Sequence, residues 1–180
     1  MATLTVITAP TTEPVTLTEV KSALGVTYSD DDVELTDLIQ SAREYIELYT
    51  GRRLMTQVLE LSFDRWPSVE FPIGEWPLQS IDSVKYDDAS SPVTEQTLTV
   101  NTDYYADTTT EKGRVRAITS WPSVANQPNA IRVRFTAGYD SADAVPAAIK
   151  RGIILWVGGL YQCPDYIESA KMVLRPYRIL

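Results

Sequence analysis

The sequence predicts an α+β fold, with a helical core and an inserted antiparallel β subdomain. Three observations carry this. Apolar residues recur at helical spacing up to residue 53, alternate with polar ones from about 54 to 140, and return to helical spacing from Val145 onward. The expected organisation is one domain spanning 1–180: an N-terminal arm and helices over 1–53, the β subdomain over 54–140, and C-terminal helices with a tail over 141–180.

Residues 1–15 are rich in Thr and Pro, and Pro10 and Pro14 block a helix there, so this arm is expected to be extended. Thr16-Leu17-Thr18-Glu19 has the form of a capping box, opening a short helix that Gly25 closes. A second helix starts after Ser29-Asp30-Asp31-Asp32. Leu35, Leu38, Ile39, Ala42, Ile46 and Tyr49 form one apolar stripe along it, and Gly51 ends it. Arg52 and Arg53 follow, where the negative end of a helix favours cations.

Strands are expected where Leu59, Leu61 and Phe63 alternate with Glu60, Ser62 and Asp64, and where Ile131, Val133 and Phe135 alternate with Arg132, Arg134 and Thr136. Weaker strand patterns cover 81–86, 97–100 and 113–118, separated by turn residues at Pro67, Pro72, Gly74, Asp87-Asp88, Pro92 and Asn126 to Asn129. Pro146 opens the next helix as its first residue, and Ile149, Ile153, Trp156, Val157, Leu160 and Tyr161 make it apolar on nearly every side. Such a helix requires cover from its own fold or from a neighbouring molecule. Gly152, Gly158 and Gly159 weaken it by about 1 kcal/mol each relative to alanine, which points to close approach by another element. A last helix over 166–174 leads into the tail.

Composition excludes much chemistry. The 180 residues contain no histidine, which removes histidine-based nucleophile systems, histidine general bases and imidazole metal sites. The single Cys163 excludes an internal disulfide and a CxxC pair, and reads as an inert small hydrophobe. The glycines form neither GxGxxG nor GxxxxGK[ST], so no nucleotide cradle is encoded. No cofactor is expected. A net charge of −8 implies solubility and repulsion of a phosphate backbone. No apolar run is long enough for a membrane helix, and Met1-Ala2-Thr3-Leu4 lacks the basic start of a signal peptide, so cytoplasmic synthesis is expected.

Several clusters admit two readings. Asp30-Asp31-Asp32 with Glu34 and Asp37 could hold a hard cation, or could satisfy the free amides of a helix N-terminus. Tyr104-Tyr105 and the four tryptophans could form a binding platform, or Trp66, Trp76 and Trp121, each followed by proline, could pack at strand ends. Arg114, Arg116, Arg132 and Arg134 share strand parity. If their strands pair, four of the 16 basic residues fall on one sheet face, either as a patch for a phosphate or an acidic partner, or as a solvated face balanced by Glu60 and Asp64.

An ordered set of segments carries a resemblance over nearly the whole chain. Pro14-Val15-Thr16-Leu17-Thr18-Glu19-Val20-Lys21 precedes an acidic stretch and the helix from Leu35 to Glu47. Then come Tyr49-Thr50-Gly51-Arg52-Arg53-Leu54, Pro77-Leu78-Gln79-Ser80-Ile81, Phe135-Thr136-Ala137-Gly138-Tyr139, Val145 to Lys150, and Leu174-Arg175-Pro176-Tyr177-Arg178. The set resembles the head–tail connector (adaptor) proteins of long-tailed bacteriophages and of their prophage and gene-transfer-agent relatives. The N-terminal arm and the 90–110 loop match no part of it.

The resemblance implies a non-enzymatic virion protein of the neck. It implies a ring, usually of twelve subunits, that binds the portal protein above and a stopper or tail-completion protein below, and lets genomic DNA pass without specific binding. The C-terminal segment of such proteins commonly reaches the portal, and Leu174, Arg175, Pro176, Tyr177, Arg178, Ile179 and Leu180 have the aromatic, basic and apolar character of a docking segment. Alternatively, Tyr177, Ile179 and Leu180 cover the apolar helix of their own chain. The competing classes are a β-rich module binding protein or carbohydrate, with helical flanks, and more remotely a carboxylate-dependent hydrolase.

Overall fold

Alternating side chains in Gln57–Phe63 (β2) and Ile131–Ala137 (β8) pair in antiparallel register, Leu59 opposite Phe135, Leu61 opposite Val133 and Phe63 opposite Ile131, and so build one dry face. The computed structural model describes residues 2–110 and 112–178, so Ile179 and Leu180 lie outside it. Around β2 and β8 runs a five-stranded antiparallel sheet, completed by Ala2–Thr8 (β1), Leu78–Asp87 (β4) and Glu95–Leu98 (β5) in the order β1-β2-β8-β4-β5. Glu70–Pro72 (β3), Tyr104–Asp107 (β6) and Arg114–Ala117 (β7) form a second sheet in the order β3-β7-β6. The two sheets share a core in which Phe71, Tyr104 and Val115 join Leu59, Val84, Val133 and Phe135.

These strands and the helices resolve into two compact units. The segment ending at Ala9 clusters with Thr56–Gly138, and Pro10–Met55 clusters with the segment starting at Tyr139. The opening arm, grouped by its sequence with the N-terminal helices, is therefore a strand of the sheet: β1 pairs with β2 along its length. Its Thr, Val and Ile residues have the β-propensity that the pairing uses. Strands β3 and β6 are short and lack clear alternation, and the period-two signal misses them.

The four-arginine face does not form. Arg114 and Arg116 lie on β7 in the small sheet, and Arg132 and Arg134 on β8 in the large one, because β7 pairs with β3 and β6 instead. Each pairing brings acids with it. Arg114 meets Asp107 and Glu70, both at 3.1 Å; Arg132 meets Asp87 at 2.6 Å and Glu95 at 2.9 Å; Arg134 meets Glu60 at 3.0 Å. Arg116 is exposed.

The helical unit contains Leu17–Leu24 (α1), Asp32–Thr50 (α2), Ala147–Tyr161 (α3) and Asp165–Leu174 (α4). The Thr16 capping box is complete, with Glu19 N donating to Thr16 Oγ1 and Thr16 N donating to the Glu19 carboxylate. At α2 the aspartates act otherwise than expected: Asp31 is the N-cap but makes no side-chain cap bond. Its carboxylate accepts from the Tyr161 hydroxyl, and Asp32 pairs with Lys21. Pro146 is the N-cap of α3, one residue outside the helix.

Helix α3 is covered inside its own unit, by α2, α4 and α1. The glycines make this possible. A Cβ at Gly152 would stand 2.7 Å from Leu174, one at Gly158 would stand 2.8 Å from Leu24, and one at Gly159 would stand 2.5 Å from Ile167. Most of the apolar surface of this helix is thus covered within its own unit, while Leu160 stays 48 % exposed.

A buried charge network ties the unit together. Arg43 and Glu47 lie one turn apart on α2 and both are buried. Arg43 Nε donates to Glu13 at 2.8 Å, fixing the segment before α1 against α2. Glu47 Oε1 accepts from the Leu54 amide at 2.9 Å, while Oε2 accepts from Arg53 at 3.3 Å and lies 3.6 Å from Arg43. Burial pushes the Glu13 carboxyl above its ordinary value, and the Arg43 hydrogen bond pulls against that rise.

Removing one partner of such a network leaves the others buried and uncompensated. Glu47→Ala is expected to cost roughly 3–5 kcal/mol of unfolding free energy, measured by urea denaturation. A cost below about 1 kcal/mol would show that Arg43 and Arg53 find other partners.

The sheet unit's carboxylates set an acid limit. Asp87 is held low by Arg132, Asp88 by Ser90 and Thr94, Glu95 by Lys85 and Arg132, and Asp107 is held down to about 2, chiefly by the Thr109 hydroxyl and amide and then by Arg114. Depressed folded values contribute stability above the ordinary 3.8 and 4.5, and that contribution disappears as protons bind in the folded state. The sheet unit is therefore expected to lose stability as pH falls from about 4.5 towards 2, followed by the fluorescence of Trp66 and Trp121. A midpoint of denaturation unchanged across that window would refute the assignment.

Candidate assembly surface

Among the described residues no group of three or more His, Cys, Asp or Glu is placed to hold a metal ion, and no helix is long and apolar enough to cross a membrane. The Trp66 and Trp121 rings stack 4.3 Å apart, but each indole N–H is already used, Trp66 donating to Pro122 O and Trp121 to Ser68 O. This is a packed corner of the sheet unit. Tyr104 is core, and only Tyr105 of that pair is exposed.

Residues 174–178, the described part of the C-terminal segment, pack onto the helical unit. Leu174, the first residue expected to dock, is instead fully buried against Gly152, because it is the last apolar position of α4 and faces α3. Arg175–Tyr177 forms a 3-10 turn. Tyr177 is half-buried against the helical core, and its carbonyl accepts from Arg52 Nε at 2.9 Å. The second sequence reading, cover for the chain's own core, therefore describes Leu174 and Tyr177.

Arg175, Pro176 and Arg178 remain exposed. Arg178 lies over the Tyr49 ring, 5.0 Å from its centroid. Tyr49 stacks 6.2 Å from Tyr45, and Tyr45 stacks 3.9 Å from Trp156. A continuous aromatic row thus runs from α3 across α2 to the tail and ends in a guanidinium. On α4, Lys171 pairs with Glu168 at 2.7 Å, and this hydrogen bond holds its amine above its ordinary value.

Beside this row Leu48 is 85 % exposed, although it sits in the last turns of a helix whose inner stripe is dry. On α4, Met172 is 75 % exposed. Tyrosine, arginine and methionine are residue types enriched at protein–protein contacts, and the bare leucine adds apolar area beside them. The sequence pattern marked Arg175 and Arg178, but gave no sign of Tyr45 and Tyr49 as their platform. Tyr49 belonged to the apolar stripe by spacing, and only the return of the tail across α2 brings Arg178 to it.

Comparison with known proteins gives the arrangement a context. A family model described as Phage gp6-like head-tail connector protein matches residues 14–97. No curated protein matches the chain at a significant level. Among solved structures, a chain in the neck of an empty GTA particle with C6 symmetry is 16 % identical, with a TM-score of 0.80 over 99 % of this chain and 96 % of that one. A chain in the virion of a native gene transfer agent (GTA) particle is 17 % identical, with a TM-score of 0.81 over 98 % and 95 %. A third, from the neck of a native GTA particle with C12 symmetry, is 16 % identical, with a TM-score of 0.79 over 99 % and 96 %. The chain thus carries the sequence pattern of the Phage gp6-like head-tail connector family over residues 14–97, on a fold shared from end to end with these gene transfer agent chains.

Proposed function

We propose that the protein is a structural connector of a virion neck. Its subunits form a ring, of twelve copies by analogy with the C12 symmetry of the similar neck chain, between the portal protein of a DNA-filled head and the next neck protein. The observation that carries this reading is the full-length fold similarity to chains of GTA necks, joined to the connector family match. It is a non-enzymatic role, made in the bacterial host cytoplasm and exercised at the head–tail junction.

Portal docking falls to the outward side of the tail. Arg175, Pro176 and Arg178, backed by the Tyr45–Tyr49 row and flanked by Leu48, form a rigid basic and apolar surface suited to acidic partner groups. Because Arg52 and Tyr49 already hold the tail, little ordering cost is left for binding.

Truncation after Leu174 removes the tail while keeping the core leucine. That variant and Leu48→Asp are both expected to lose attachment to portal-bearing heads by at least tenfold. The fold should survive, Leu48→Asp costing no more than about 1.5 kcal/mol, from the lower helix propensity of Asp and its charge near the negative helix end. Sedimentation of heads with labelled connector reads the first effect and thermal melting the second. Normal attachment of both variants would refute the docking surface, and a chain that never rises above monomer mass with or without heads would favour a β-rich binding module.

DNA passes through such a ring without adhering. With a net charge of −8 per chain, and with Arg114, Arg132 and Arg134 already paired to acids, free duplex DNA is expected to bind no tighter than about 10⁻⁴–10⁻⁶ M at physiological salt. Submicromolar binding with a steep salt dependence, measured by fluorescence anisotropy, would overturn this.

A further inference from the structure

Both outer strands of the five-stranded sheet are open. β1 is exposed along its whole length and β5 along all but its last residue. β1 pairs only with β2, so the main-chain groups along its other side have no strand partner. Its register sets Ala2, Leu4 and Val6 opposite Phe63, Leu61 and Leu59, on the face that forms the core. Leu4 nevertheless stays 36 % exposed and Val6 48 % exposed. The apolar face of the sheet continues past the point where the chain covers it.

Edges of monomeric sheets are ordinarily guarded by lysine, proline or an inward charge. Ala2-Thr3-Leu4-Thr5-Val6-Ile7-Thr8 contains none of these. β5 has one charged residue, Glu95, whose two carboxylate oxygens are engaged within the chain, by Lys85 at 2.7 Å and by Arg132 at 2.9 Å. Neither edge would bury an uncompensated charge on meeting another strand.

We propose that these two edges are the lateral contact between neighbouring copies: β1 of one subunit adds to the β5 edge of the next, carrying the sheet from copy to copy. The inference rests on the ring reading above. A cyclic ring requires two different, complementary surfaces on each subunit, and the sheet provides two different edges. Pairing of β1 with β1 would be self-complementary and would stop at two copies. Main-chain hydrogen bonds supply the attachment, and Leu4 and Val6 gain cover.

The test uses the full chain, alone and on portal-bearing heads, with native mass spectrometry and sedimentation establishing whether a ring forms. In a Cys163→Ser background, Thr5→Cys or Val6→Cys is combined with Gln96→Cys or Thr97→Cys, so that both faces of each strand are sampled. A thiol cross-linker is expected to give a ladder rising to ring size in at least one double variant, and no cross-link in any single variant. Separately, Thr3→Asp with Thr8→Asp, which lie opposite Ser62 and Val58, should lower the ring fraction at least tenfold at unchanged melting temperature. A ring that forms without inter-copy cross-links, dimers from Thr5→Cys alone, or a ring indifferent to the two aspartates overturns the edge contact and leaves the ring reading standing. A chain that forms no ring in either setting overturns both.

Discussion

The helical unit depends on one carboxylate. Glu47 stands in the last turns of α2, where a negative side chain opposes the helix dipole, and it is buried there. Its position is tolerable because Arg43 and Arg53 both approach it and the Leu54 amide donates to it. Its backbone carbonyl also accepts from Gly51 and Arg52, so a single residue holds the helix end and the turn that follows. Gly51 takes the left-handed conformation that this turn requires, at φ 69°. Through Arg43 the same network reaches Glu13 and fixes the segment leading into α1. A buried ionic cluster is weak as a source of stability but strict about geometry, since each member left alone is costly.

That strictness bears on the tail. Arg52 leaves the turn at the end of α2 and holds the carbonyl of Tyr177, and Tyr49 from the last turn of α2 lies under Arg178. The proposed docking surface is therefore built on the end of the helix that Glu47 organises. Helix α3, close-packed through its glycines against α1 and α4, keeps its apolar bulk away from solvent. What remains for association is a small set of side chains, Leu48 and the tail arginines among them, set on a rigid base.

In the sheet unit the charges are arranged for internal use. Arg114 of β7 and the two arginines of β8 meet acids from β2, β3, β4, β5 and β6, so these basic residues support strand order and present little free positive charge. Asp64, Asp82 and Asp103 stay exposed, and the net charge of −8 suits a proposed channel through which a polyanion must slide. The two open edges, free of uncompensated charge, are the exception to this self-sufficiency, and they give the sheet its asymmetry.

Much of this was legible in the sequence. The capping box at Thr16, the stripe from Leu35 to Tyr49, the alternation in β2 and β8 and the apolar run of α3 are local patterns whose period is set by backbone geometry, and each one formed. The missing histidines and the single cysteine closed off whole classes of chemistry without any structure. Strand order was not legible. Parity placed Arg114, Arg116, Arg132 and Arg134 together only if their strands were neighbours, and pairing between strands depends on contacts far apart in the chain. For the same reason the opening arm, distant in sequence from β2, showed no sign of belonging to its sheet, and Leu174 looked like a tail residue until α4 was seen to press it onto Gly152. Composition and period are properties of a segment; partners belong to the fold, and only the tertiary structure decided them.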